Sequence, residues 1–520
     1  MMPGANRSWI NNTSRARSLK HVANNRVDVV VVGGGITGAG VALDAVSRGL
    51  SVALLESNDF ASGTSGYSSK LIHGGLRYLA KGDFPVAWES AVERRWLMES
   101  IAPHLIHPLG FVIPDAKTAP RLEGALAGFG TLIYDGLRRA TGLNSKILPR
   151  PQLLSAAAVH ALAPGLAADS VRRGWLYWDG QVVDDARLVL GVLRTAASLG
   201  AHVLRDLKVT DMDETSVQGH DTRTGESLHL RARVVINATG IWAHDFAKNL
   251  AITPSRGSHL VVRSSALGNP HAAHTVAVPG HFGRYVFVLP QPDGRTYIGL
   301  TDQEDRNADG HHPSVPETDI AFLLETLNRT LSVPLRREDV VGSFAGLRPL
   351  VHTNHLNGHD GSADISRRHL LHDELAEPIT VAGGKLTTYR KMAEAAVDAA
   401  AKRIGNTRPC STKQLPLVGA ASNPALERIN APKPLVAAYG TEAAALIQLG
   451  NAHPLLKEPL FAGSTISGAQ IYFGVLAEGA NSVDDLLQRR TRLAFVPEDA
   501  RKASTRVREI FELALSLIHI

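Results

Sequence analysis

The sequence predicts an α/β chain: a Rossmann-like dinucleotide-binding domain, a mixed-sheet substrate domain of α+β character, and a helical C-terminal domain. Three observations carry the first and the last of these domains. VVVVGGGITGAG (29–40) sets a glycine turn between an apolar run and a helical pattern. RVVINATG (233–240) is a second apolar run ending in glycine, far along the chain. Beyond about Gln414 the texture becomes rich in Ala and Leu, with helical spacing and prolines at 416, 424 and 432.

The elements follow in order. Val29 to Val32 reads as a buried parallel strand, and Ile36 to Arg48 as a helix stopped by Gly49. Ser51 to Leu55 is a second strand, with Glu56 at its end, so the first 30 ordered residues form a βαβ unit. Residues 58–83 are rich in Ser, Gly and Thr. Helical stretches are expected at 84–101, 121–139 and 184–199, and Pro103, Pro108 and Pro114 punctuate the segment between the first two. Strands are expected at 259–263, 285–289 and 296–300. AGGKLTTYRKMAEAAVDAAAKRIG (382–405) is a turn followed by a helix. Further helices are expected at 435–449, 468–478 and 498–517.

Gly33, Gly34, Gly35, Ile36, Thr37 and Gly38 match G-x-G-x-x-G. Gly33 permits the tight turn, Gly35 lets a pyrophosphate approach the backbone, and Gly38 lets the helix lie close to the sheet. Phosphates would meet the free amides and the positive end of the helix dipole. Glu56 lies where a carboxylate grips ribose hydroxyls. The fingerprint serves NAD and FAD alike. Its N-terminal position, with Ala238, Thr239 and Gly240 returning the backbone to the same domain, leans towards FAD.

Composition bounds the rest. The 520 residues are 44% hydrophobic and 20% charged, with net charge +6. The single cysteine, Cys410, excludes internal disulfides and makes a structural zinc site improbable, which fits a reducing compartment. No apolar run is long enough to span a bilayer. A basic excess suits an anionic partner, but no basic stretch interleaved with aromatics points to nucleic acid. Residues 1–27 hold five basic side chains (Arg or Lys) and no acid. They read as a disordered basic arm, with a mitochondrial transit peptide as the alternative.

Taken together, several stretches resemble the flavin-dependent, respiratory glycerol-3-phosphate dehydrogenases, within the larger FAD group that includes D-amino-acid oxidase. They are DVVVVGGGITGAG (28–40), SSKLIHGGLRYL (68–79), DGQVVDDARLVL (179–190), INATGIW (236–242), GSHLVV (257–262), GLTDQED (299–305), AGLRPL (345–350) and AGGKLTTYRKMAE (382–394), with YGTEA (439–443) and RRTRLAF (489–495) near the end. SSKLIHGGLRYL and GGKLTTYRK are the specific pair. Gly66-Tyr67 and Leu300 depart from the pattern. The resemblance implies an FAD domain at 28–115, 180–258 and 336–410, a substrate domain at 116–179 and 259–335, and a C-terminal domain at 411–520.

It also implies oxidation of sn-glycerol 3-phosphate to dihydroxyacetone phosphate, with hydride passing from C2 to flavin N5 and electrons onward to a membrane quinone. A glycerol-3-phosphate oxidase using O2, and a related amino-acid or amine oxidase, are the alternatives. The enzyme would be cytoplasmic, held peripherally on the inner face of the membrane, and homodimeric. A phosphate dianion calls for arginines, and the resemblance points to Arg77 and Arg348, with Tyr78 as a hydrogen-bonding partner. Lys385, in Gly383-Gly384-Lys385-Leu386-Thr387, would stabilise charge on reduced flavin and meet substrate. His259 is the first choice of general base, with His73, beside Gly74 and Gly75, the competing candidate nearer flavin. Ser68, Ser69 and Lys70 would line the FAD phosphate and ribitol region. Thr301 and Asp302 would orient the site from the substrate domain. Asp185 and Arg187 are expected to form a structural pair.

Overall fold

The computed structural model describes residues 7–80, 82–117, 121–247, 250–281, 284–352 and 369–518. The apolar run Val27–Val32 is the hub of the first sheet, whose order is 369–372, 379–383, 227–237, 27–32, 52–55, 202–204. From 379–383 onward these strands run parallel. Both sheet faces are covered, which is why the strands read as unbroken valines and leucines. Helices Ile36–Ser47, Asp185–Ser198 and Tyr389–Ile404 pack on one face. The antiparallel ribbon Leu207–Met212 and Ser216–Asp221, with helix Asn12–Asn24, closes the other.

That last helix corrects the expectation of a disordered arm. Asn11 caps it through Ser14 N, Val22 is buried, and Arg15 pairs with Asp221 at 2.7 Å. Ile10 N bonds the carbonyl of Ala477 in the C-terminal domain. Arg15 and Arg26 find their partners, Asp221 and the carbonyl of Ala232, 206 residues away, so the composition of the arm alone suggests solvent.

The second sheet runs 303–304, 251–263, 295–299, 285–290, 273–277, 106–116, 171–182, 71–72, with 340–352 alongside 251–263 and 152–155 alongside 171–182. It takes residues 106–115, 251–258 and 340–352, which the expected division gave to the dinucleotide domain. The strand Ile106–Ala116 also contains Pro108 and Pro114, read above as breaks. It pairs with 171–182 along its length, but on its other side, among the described residues, only Phe111 and Val112 are paired, so both prolines sit where a donor is dispensable. From Asn423 to Ile518 the chain is helical around its own core, which includes Leu456, Ile471 and Ile510.

Candidate active site

The glycine turn sits at the carboxyl ends of the parallel strands, where ligands bind in such sheets. Gly33 has φ +115°, and a side chain there would overlap the carbonyl oxygen of Ala238. One on Gly38 would overlap the carbonyl of Gly33. Turn, helix and the Ala238-Thr239-Gly240 loop are therefore pressed together backbone on backbone. Ala238 N bonds Val32 O, and Asn237 Oδ1 accepts from the Thr239 hydroxyl at 2.7 Å.

Glu56 accepts from Gly34 N at 2.6 Å and from Asn58 N at 2.8 Å. Burial pushes its carboxyl above the usual range, against the pull of those amides. Ser65 Oγ, which sequence reasoning missed, accepts from Ile36 N at the helix start, at 2.9 Å. Nearby, Trp242 stacks on His311, and His311 meets Asn58 and Ser62.

At a neighbouring strand end, Gly383-Gly384-Lys385-Leu386-Thr387 opens the helix Tyr389–Ile404. Thr387 Oγ1 is buried without a hydrogen-bond partner among the described residues, an atom waiting for a polar group. Lys385 Nζ lies 3.9 Å from the centre of the Tyr78 ring and donates to Ser90 Oγ at 2.9 Å. His73 stacks on the same Tyr78 ring, with centres 6.0 Å apart. Gly74 N is held by Tyr134 Oη and Asp179, both tied to the buried Arg94. The side chain of Arg77 lies outside the described residues.

The second sheet supplies the opposite wall. Arg348 stands across from Ser255 in strand register. It donates to Asp302 at 3.0 Å, to Ser255 Oγ at 3.3 Å and to the carbonyl of Thr301 at 3.2 Å. The structure therefore brings Arg348, Thr301 and Asp302 together. His259, on the Arg348-facing strand, is buried flat against Phe344 with ring centres 4.6 Å apart. Its Nε2 meets Ser69 Oγ at 2.8 Å. Burial first, then the charges of Arg348 and Lys70, push its pKa down to about 3, so the ring is neutral at physiological pH. From Ser69 the chain runs through the short strand Leu71–Ile72, packed on Leu386–Thr388, and so links the two walls.

Two expectations are corrected here. Lys70 does not face the glycine turn: its ammonium is fully buried and needs a carboxylate, found in Asp185 at 2.8 Å, with Tyr297, Phe344 and Phe495 around it. The same Asp185 holds Ser68 by its amide and hydroxyl, at 2.8 and 2.7 Å. Asp185 and Arg187 are likewise not a pair, because Arg187 bonds Glu478 at 2.7 Å.

The donors fit a flavin dinucleotide: a side-chain-free cradle at a helix start, a carboxylate beyond it, and an unpartnered buried hydroxyl at the second helix start. Residues 28–385 match the family model described as FAD dependent oxidoreductase, and 410–517 match the C-terminal domain of alpha-glycerophosphate oxidase. Fold and cradle thus define an FAD-dependent oxidoreductase. Glycerol-3-phosphate dehydrogenase 1 of Mycobacterium tuberculosis is 42% identical over 501 residues, covering 95% of this chain and 96% of that protein. Glycerol-3-phosphate dehydrogenase of Synechocystis sp. is 33% identical over 525 residues, covering 93% and 92%. The X-ray structure of glycerol-3-phosphate dehydrogenase from Bacillus halodurans complexed with FAD superposes with TM-score 0.71 at 26% identity, over 97% of each chain. The chain belongs to the FAD-dependent glycerol-3-phosphate dehydrogenase family.

Proposed function

We propose that this protein oxidises sn-glycerol 3-phosphate to dihydroxyacetone phosphate and passes the electrons to a quinone at a membrane surface. The observation that carries the substrate is Arg348. Its guanidinium is aimed by Asp302, Ser255 and Thr301 O, and its side chain keeps 23% of its exposure. A fork fixed in this way suits an anionic oxygen group, phosphate or carboxylate, and not an amine, and the names of the relatives favour phosphate.

FAD, when bound, accepts the hydride and so supplies the oxidation. The chain's own residues bind, orient and move the proton. Arg348 holds the phosphate. His259, neutral and hydrogen-bonded to Ser69, takes the hydroxyl proton, and a bound dianion offsets the Arg348 charge that now depresses its basicity. Lys385, at a helix start, supplies positive charge beside the reacting centre.

Membrane attachment would be peripheral, because no described helix is long and apolar enough to cross a membrane. The reading is supported by an exposed apolar face. Phe84 and Trp88 lie on the helix Phe84–Trp96 that carries Ser90, the partner of Lys385. Leu126, Phe129, Leu132 and Ile133 lie on the neighbouring helix Arg121–Ala140, with Phe129 64% exposed and Arg139 exposed at its end. An apolar face with a cation at its edge suits a lipid surface.

The test is anaerobic. The yellow holoprotein should bleach with sn-glycerol 3-phosphate, but not with glycerol or a D-amino acid. A quinone analogue should then restore the colour faster than air. Failure to bleach sinks the substrate, and reoxidation that favours air sinks the acceptor.

A further inference from the structure

The stretch Arg489-Arg490-Thr491-Arg492 of the C-terminal domain has no part in the chemistry above, yet its three arginines are buried. Arg490 donates to both oxygens of Asp59, at 2.8 and 2.9 Å. Arg489 reaches the same carboxylate, and Arg205 adds a third guanidinium at 3.0 Å. Arg492 spans Asp184 and Asp185 at 2.6 Å each, and Asp185 in turn holds Ser68.

Asp59 and Ser68 bracket one segment. It leaves Glu56, which grips Gly34 N. It passes Ser65, which caps the helix start at Ile36. It ends at Ser69, which meets His259. Burying arginines and aspartates is an expensive way to dock a domain, since apolar packing serves at least as well. What bidentate ion pairs add is fixed geometry.

We propose that Arg489, Arg490 and Arg492 are positioning residues for FAD. They clamp residues 56–70 in the shape that holds the cofactor, so the C-terminal domain sets how long FAD stays bound. The inference rests on FAD binding and is independent of substrate and acceptor.

The experiment uses the full-length holoprotein and reads FAD release, as recovery of flavin fluorescence on dilution, well below the unfolding temperature. Arg194→Gln is the matched comparison. Arg194 also ties the C-terminal domain down, through Glu442 at 2.7 Å, and its other side-chain partners are Ser8 and the ring of Phe473, 5.1 Å away. Arg490→Gln should release FAD about tenfold faster, Arg490→Lys should recover part of that, and Arg194→Gln should stay near wild type. Equal acceleration in both glutamine variants would mean general loosening and overturn the proposal. So would unchanged release from folded Arg490→Gln. If Arg490→Gln does not fold, Arg490→Lys decides: faster release supports the clamp, and wild-type release refutes it.

Discussion

At the glycine turn the wall is almost all backbone: the carbonyls of Ala238 and Gly33 press on Gly33 and Gly38 and leave no room for side chains, and the amides at the helix start are what would receive the cofactor's phosphates. Across the site, at Arg348, the donors are mostly side chains brought together from strands 251–263 and 340–352 and the loop after 299. The first wall is defined by what is missing, the second by which charges face each other. A change at the turn should therefore abolish cofactor binding outright. A change at the second sheet should leave a yellow protein that reacts or binds poorly.

The largest effect is expected at the turn. Gly38→Ala places a methyl group on the carbonyl of Gly33, where backbone has no rotamer to escape into. Purified protein should carry almost no flavin, and unfolding should shift by the cost of overpacking, about 1–3 kcal/mol. Normal flavin absorbance per protein would show that the turn has slack the packing denies.

His259→Ala comes next, and it should spare flavin content. Loss of a general base slows the step it serves by roughly 10²–10⁴-fold, read as the anaerobic rate of flavin reduction in a stopped-flow trace. An unchanged rate removes His259 from proton transfer and leaves it as packing on Phe344. Arg348→Ala follows: losing charge-assisted bonds of about 1.5–3 kcal/mol should raise the Michaelis constant by roughly ten- to a hundredfold. Flavin lost with substrate affinity intact would place Arg348 on the wrong wall.

The same contrast governs what could be read from the sequence. The turn is contiguous: strand, glycines, helix and Glu56 lie within 30 residues, so local periodicity and spacing expose it. The second wall depends on register. Arg348 and Ser255 are 93 positions apart and adjacent only because two strands pair. Lys70 was misplaced because its carboxylate, Asp185, is 115 positions away, and nothing near Lys70 announces burial. The partners of Asp59 are more distant still, at 431 positions for Arg490. Family resemblance is what proposes His259 and Lys385, whereas Ser65, Ser90 and Phe344 surface only from packing.

Twenty-two histidines make His259 hard to single out by composition, and His274 offers the control. It too is fully buried in the second sheet, and burial alone pushes its pKa down to about 4. Neither of its ring nitrogens has a partner among the described residues, whereas His259 meets Ser69 and feels Arg348. A histidine held neutral in the native state costs stability once the unfolded chain starts to bind protons. That contribution is intact above the ordinary value near 6.5 and is lost as pH falls towards the native value. His274→Leu should therefore help more at pH 5 than at pH 8, by about 2 kcal/mol in urea unfolding, from 1.5 units at about 1.4 kcal/mol each. Flavin reduction at pH 8 should be untouched. A gain equal at both pH values would mean that His274 takes up its proton in the native sheet as readily as in the unfolded chain, and a slowed reduction would mean that His274 also acts on the reaction.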